Sequence, residues 1–147
     1  MATDAFISET VTITGHGGDS IEAYAALPQD TAPRGGVIVI HHMPGYDAGT
    51  KEITRNFGYH GYNAVCPNLY WREAPGAEPS DAAATSRAQG GVPDDRFVGD
   101  AEGAMNYLRG LPNSNGKVGI IGYCSGGRHS WLANGSLPLD AAVVCYG

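Results

Sequence analysis

Basic residues are few in this chain. Nine Lys and Arg stand against fifteen Asp and Glu in 147 residues, a formal net charge of −6. The nine are scattered, so nucleic acid and anionic membrane surfaces, which select basic patches, are excluded as main partners. Strong apolar residues are also scarce: Leu, Ile, Val and Phe together number 27 of 147, a level bordering on compositions that stay unfolded. Their clustering argues for a folded core, since Val37-Ile38-Val39-Ile40 and Val118-Gly119-Ile120-Ile121 read as buried strands. No run reaches the ~18 apolar residues of a membrane span. The first ten residues lack the charged start and apolar stretch of a signal peptide, so the expected location is cytoplasmic. Cysteine is limited to positions 66, 124 and 145, with no CxxC and no metal-like spacing. That pattern predicts free thiols and no metal site, with Cys66 and Cys145 buried in apolar strands.

Periodicity predicts the element order. Alternation over 10–14 and a run over 20–27, joined by a Gly-rich turn, read as an antiparallel hairpin. Residues 36–40 form a continuous apolar run, as in an inner parallel strand covered on both faces. A helix is predicted over 50–60, a strand over 62–66, and an irregular stretch with one short helix over 68–93. The clearest helix is 94–111, where Phe97, Val98, Ala101, Ala104, Met105 and Leu108 share one face. Pro112 and the Asn113-Ser114-Asn115-Gly116 turn end it. A strand over 118–122, a helix over 125–134 and a strand over 141–146 follow. After the hairpin, strands and helices alternate. The fold class is therefore α/β, one domain over 1–147 with a mostly parallel sheet and helices on both faces.

Gly122-Tyr123-Cys124-Ser125-Gly126-Gly127 follows a buried strand and opens a helix. This G-x-C-x-G turn is the thiol counterpart of the nucleophile elbow. The reversal is so sharp that side chains two before and two after the nucleophile would collide, which explains Gly122 and Gly126. Gly127 lets the helix lie close to the sheet. The helix N-terminus behind Cys124 offers free N–H groups and partial positive charge, which favour a thiolate and a developing oxyanion. Cys124 is the candidate nucleophile. His16, His60 and His129 read as structural or exposed.

Three further segments match one family in order and spacing. They are Val65-Cys66-Pro67-Asn68-Leu69-Tyr70 with Arg72-Glu73-Ala74-Pro75-Gly76, then Asn113-Ser114-Asn115-Gly116-Lys117-Val118-Gly119, then Gly122-Tyr123-Cys124. With these the chain resembles the dienelactone hydrolases (carboxymethylenebutenolidases) of the α/β-hydrolase superfamily. The resemblance implies hydrolysis of a small-molecule ester or lactone by a Cys-His-Asp triad, with neither metal nor organic cofactor. It implies oxyanion N–H groups from Ser125 and, in the loop after the third strand, Met43. It also implies an arginine for a substrate carboxylate, in the region of Arg72 and Arg87; the other reading of each is a solvated surface charge. Oligomeric state is not implied.

Two departures stand out. Where many of these hydrolases have a glutamate beside the nucleophile, this chain has His42, in His41-His42-Met43-Pro44-Gly45. His42 either tunes Cys124 within hydrogen-bond reach or shapes the oxyanion loop through its backbone. The second is at the far end. The fold's chain order is nucleophile, acid, histidine, yet only Asp140 and the same-helix His129 follow Cys124. The expectation is a C-terminally incomplete hydrolase domain, with triad acid and histidine beyond residue 147, and little activity from this stretch alone. Two alternatives remain: a glutamine amidotransferase-like thiol enzyme, which also uses G-x-C-x-G, and a non-catalytic, hydrolase-like interaction domain.

Overall fold

The computed structural model describes residues 5–147. Six strands form one sheet in the order β1-β2-β4-β3-β5-β6. These are β1 (Phe6–Thr14), β2 (Ser20–Pro28), β3 (Arg34–Ile40), β4 (Asn63–Pro67), β5 (Ser114–Tyr123) and β6 (Ala141–Cys145). The hairpin β1-β2 and the β2-β4 pair are antiparallel; β3 pairs in parallel with β4 and β5, and β5 with β6. The helices are α1 (Ala48–Tyr59), α2 (Pro79–Ala88), α3 (Asp94–Arg109) and α4 (Ser125–Ser136). Helix α1 packs on β2 and β4; α3 packs on β3, β4 and β5, α4 on β5 and the edge strand β6, and α3 and α4 pack on each other.

The apolar face predicted for α3 is the one that packs. Phe97, Ala101, Ala104, Met105 and Leu108 are buried against Ile38, Ile40, Val118 and Ile120. Burying Phe97 alone contributes roughly 2–3 kcal/mol. Asp100, on the same face, is also fully buried, because Arg72 meets it there.

Several boundaries differ from the sequence reading. Strand β1 begins at Phe6, since pairing with Pro28 extends the hairpin past the alternating segment. Helix α1 begins at Ala48, because Asp47 caps it by accepting the Thr50 N–H at 2.9 Å. Its buried positions are Thr50, Thr54 and Gly58, with Ile53 and Phe57 only half-buried. Strand β5 begins at Ser114, so the Asn113–Gly116 segment expected as a turn is largely strand. Ser114 pairs with Arg34, and a register shift between Arg34 and Gly36 absorbs Gly116 at φ 83°. Strand β6 is an edge, with Val143 and Val144 about half exposed and Cys145 only partly buried, against the burial expected of Cys145. Cys66 is fully buried, as expected.

Candidate active site

Register brings the site together. Ile40 pairs with Gly122 across the parallel strands β3 and β5. Both chains leave the same sheet edge there, so the loop from His41 lies beside the turn carrying Cys124. This is the edge where open α/β sheets hold their ligands.

The turn is an elbow. Cys124 has φ 56° and ψ −122°, a conformation costly for a residue with a Cβ, and its side chain is exposed. Its N–H donates to the Cys145 carbonyl at 3.0 Å, tying the turn to β6. A Cβ on Gly122 would stand 1.9 Å from the Gly126 carbonyl oxygen. One on Gly126 would stand 2.6 Å from that of Ile40 and 2.7 Å from that of His41. Glycine is required at both places because α4 begins in contact with the backbone it leaves behind. Gly127 has the same relation to Cys145 on β6.

Two peptide units near Cys124 are held by their carbonyls. The Cys124 carbonyl accepts from Gly127 N–H at 2.9 Å, and the trans peptide then turns the Ser125 N–H the opposite way. The His42 carbonyl accepts from Gly45 N–H at 3.0 Å and from His41 Nδ1 at 2.9 Å, which sets the Met43 N–H in the same manner. Met43 itself is exposed at the surface.

His42 sits in this loop with Nε2 2.7 Å from Asp47 Oδ2. Burial pushes the Asp47 carboxyl up, but hydrogen bonds from Thr50 and His42 outweigh it, and the net shift is downward. Among the described residues no hydrogen bond joins His42 to the Cys124 thiol; its ring pairs with Asp47 and its carbonyl is bonded within the loop, in line with the second of its two readings.

Tyr70, 8% exposed, donates its hydroxyl to the Met43 carbonyl at 2.9 Å. Burial raises its pKa, the Arg87 charge opposes that rise, and Cys124 and Glu73 add to it. The Tyr70 hydroxyl is thus within electrostatic reach of both Cys124 and Arg87, and Arg87 is exposed at the end of α2.

Arg72 is elsewhere, which corrects the expectation of a substrate-carboxylate ligand. Its guanidinium grips Asp100 with two bonds of 2.8 and 2.9 Å and Asp19 at 2.7 Å, and it reaches the His16 carbonyl. With its donors taken by a fully buried carboxylate and a second acid, it bolts the hairpin turn to α3. Sequence reasoning missed Asp47, Tyr70 and the ring of His41. The Asp47-x-x-Thr50 spacing was a visible helix-cap signal; nothing local marked the other two. His129 stacks on Phe97, centroids 4.4 Å apart, and His60 is exposed, both in line with structural roles.

A mixed sheet with α1 on one face, α3 and α4 on the other, and a strained residue at a strand–helix elbow define an α/β-hydrolase. The dienelactone hydrolase family matches residues 21–147, and the chain belongs to that family. It is 34% identical over 146 residues to a carboxymethylenebutenolidase of Pseudomonas putida, covering 96% of this chain and 61% of that protein. It is 32% identical over 147 residues to carboxymethylenebutenolidase 1 of Cupriavidus pinatubonensis, covering 96% and 62%. A solved Klebsiella pneumoniae protein assigned to the dienelactone hydrolases superposes with a TM-score of 0.84 at 28% identity, over 98% of this chain and 61% of that one. The chain thus spans about three-fifths of the length of these relatives. Family membership sets aside the amidotransferase reading, which shared only the elbow. Among the described residues no helix is long and apolar enough to cross a membrane.

Proposed function

We propose that this chain carries the nucleophile half of a hydrolase that opens a lactone or carboxylic ester through Cys124. The observation that carries the reading is the exposed, strained Cys124 at the first turn of α4. A buried structural cysteine has no need of either property, and neither does a non-catalytic interaction domain. In the proposed step the Cys124 thiolate adds to the substrate carbonyl carbon. The negative charge moves to the carbonyl oxygen, which accepts from the Ser125 and Met43 N–H groups. Collapse expels the alkoxide and leaves a thioester, which water then cleaves. Arg87 is assigned the role of attracting a substrate carboxylate; in support, it is exposed, whereas Arg72 is committed to Asp100 and Asp19. His42, its ring held by Asp47, shapes the oxyanion loop through its carbonyl, which accepts from Gly45 and His41.

The triad acid and histidine are assigned to polypeptide beyond residue 147. Support comes from the relatives, of whose length this chain covers about three-fifths. The test is acylation of the purified chain by p-nitrophenyl acetate. The expected result is acetylation of Cys124 with turnover little above that of free thiol, lost in Cys124→Ser. Failure to acetylate Cys124 refutes the nucleophile assignment, and robust turnover refutes the placement of acid and base.

A further inference from the structure

We infer that His41 and Tyr70 are positioning residues for acylation: they clamp the peptide units on both sides of Met43 and so aim its N–H. This rests on the proposed role of Met43 in holding the oxyanion, and it adds the device that keeps that donor in place.

His41 is the first residue after β3 and is 2% exposed. Both ring nitrogens are used. The Leu69 N–H donates to Nε2 at 3.2 Å, so Nε2 holds the lone pair and Nδ1 carries the proton. That proton goes to the His42 carbonyl at 2.9 Å. One imidazole thereby bridges the segment after β4 and the oxyanion loop, and only its neutral form with hydrogen on Nδ1 makes both bonds. Burial holds the ring neutral, lowering its pKa to about 4.

Tyr70 returns the link. It follows Leu69, lies edge-on to His41 with ring centroids 4.8 Å apart, and donates to the Met43 carbonyl at 2.9 Å. The His42 carbonyl shares its peptide with the Met43 N–H, and the Met43 carbonyl belongs to the next peptide. With both carbonyls bound and both peptides planar, φ and ψ at Met43 are set from either side. Met43 is 45% exposed, so it is not locked by a surrounding core, and the clamp fixes its backbone. A donor fixed before reaction needs no reorganisation as charge develops, which is what makes such a donor effective.

The experiment compares two reactions of the same sulfur in the 147-residue chain. Acylation by p-nitrophenyl acetate passes through an oxyanion; alkylation by iodoacetamide is a direct displacement at carbon and does not. Tyr70→Phe removes one hydrogen bond and keeps the ring. It is expected to slow Cys124 acylation about tenfold and to leave alkylation within about twofold. His41→Gln, which loses the bridge, is expected to change the same ratio in the same direction. If Tyr70→Phe leaves acylation unchanged, or slows both reactions together, the clamp has no part in aiming the donor. If the parent chain alkylates at Cys124 but never acylates, the nucleophile reading fails first, and the clamp with it. Circular dichroism on both variants separates misfolding from loss of aim, and Tyr70→Phe alone decides should His41→Gln not fold.

Discussion

Lowering the pH from about 7 to about 5 protonates the His41 ring in the unfolded chain, while the buried ring of the folded chain stays neutral. Its folded pKa of about 4 lies below the ordinary histidine value of 6.5, because burial disfavours the charged ring. In that interval the unfolded chain binds more protons than the folded one, so stability rises with pH and falls as acid is added. The contribution is fully present above 6.5 and fully lost near 4. At about 1.36 kcal/mol per unit the whole window is worth roughly 3 kcal/mol, of which about 2 kcal/mol is lost by pH 5. His129, also lowered by burial, adds loss of the same sign. Asp47 and Asp140 are shifted down from a carboxylate value of 3.8, so their stabilisation is lost only at lower pH. Other groups facing His41 are His42 beside it and Tyr70 from the segment after β4. The assay is urea unfolding at both pH values for the parent chain and His41→Gln. The parent should lose about 2 kcal/mol more than the variant between the two. Equal losses would show that His41 does not pass from neutral to charged on unfolding, and the tautomer argument would go with it.

Arg72→Met leaves the fully buried Asp100 carboxylate without its bidentate partner and should cost about 3–5 kcal/mol in urea unfolding, with no direct effect on the Cys124 thiol. Gly126→Ala puts a methyl 2.6 Å from the Ile40 carbonyl oxygen and should destabilise by more than about 3 kcal/mol, whereas Gly135→Ala, in open space late in α4, should stabilise by up to about 1 kcal/mol. In the native chain iodoacetamide should modify Cys124 well ahead of Cys66, whose fully buried thiol is pushed up by desolvation; peptide mapping reads the order, and prior labelling of Cys66 would contradict the buried core strand β4. Val143→Lys on the exposed edge β6 should raise the solubility limit without changing the unfolding midpoint, and unchanged solubility would show that this edge is not where chains associate.

Local chemistry determined a good deal of this protein. The apolar runs at 37–40 and 118–121, the α3 stripe from Phe97 to Leu108 and the glycines around Cys124 act through near neighbours in the chain. Strand, helix and elbow could therefore be read from spacing. Tertiary structure alone decided the rest, because those choices depend on partners far away in sequence. Arg72 and Arg87 are alike as residues, but Asp100, 28 positions from Arg72, claims one and leaves the other exposed at the end of α2. His41 and His42 are adjacent and identical, yet strand register buries the first against Leu69 and turns the second to Asp47. A charged or titratable side chain takes its role from what desolvates it and what it meets, and both are properties of the assembled sheet.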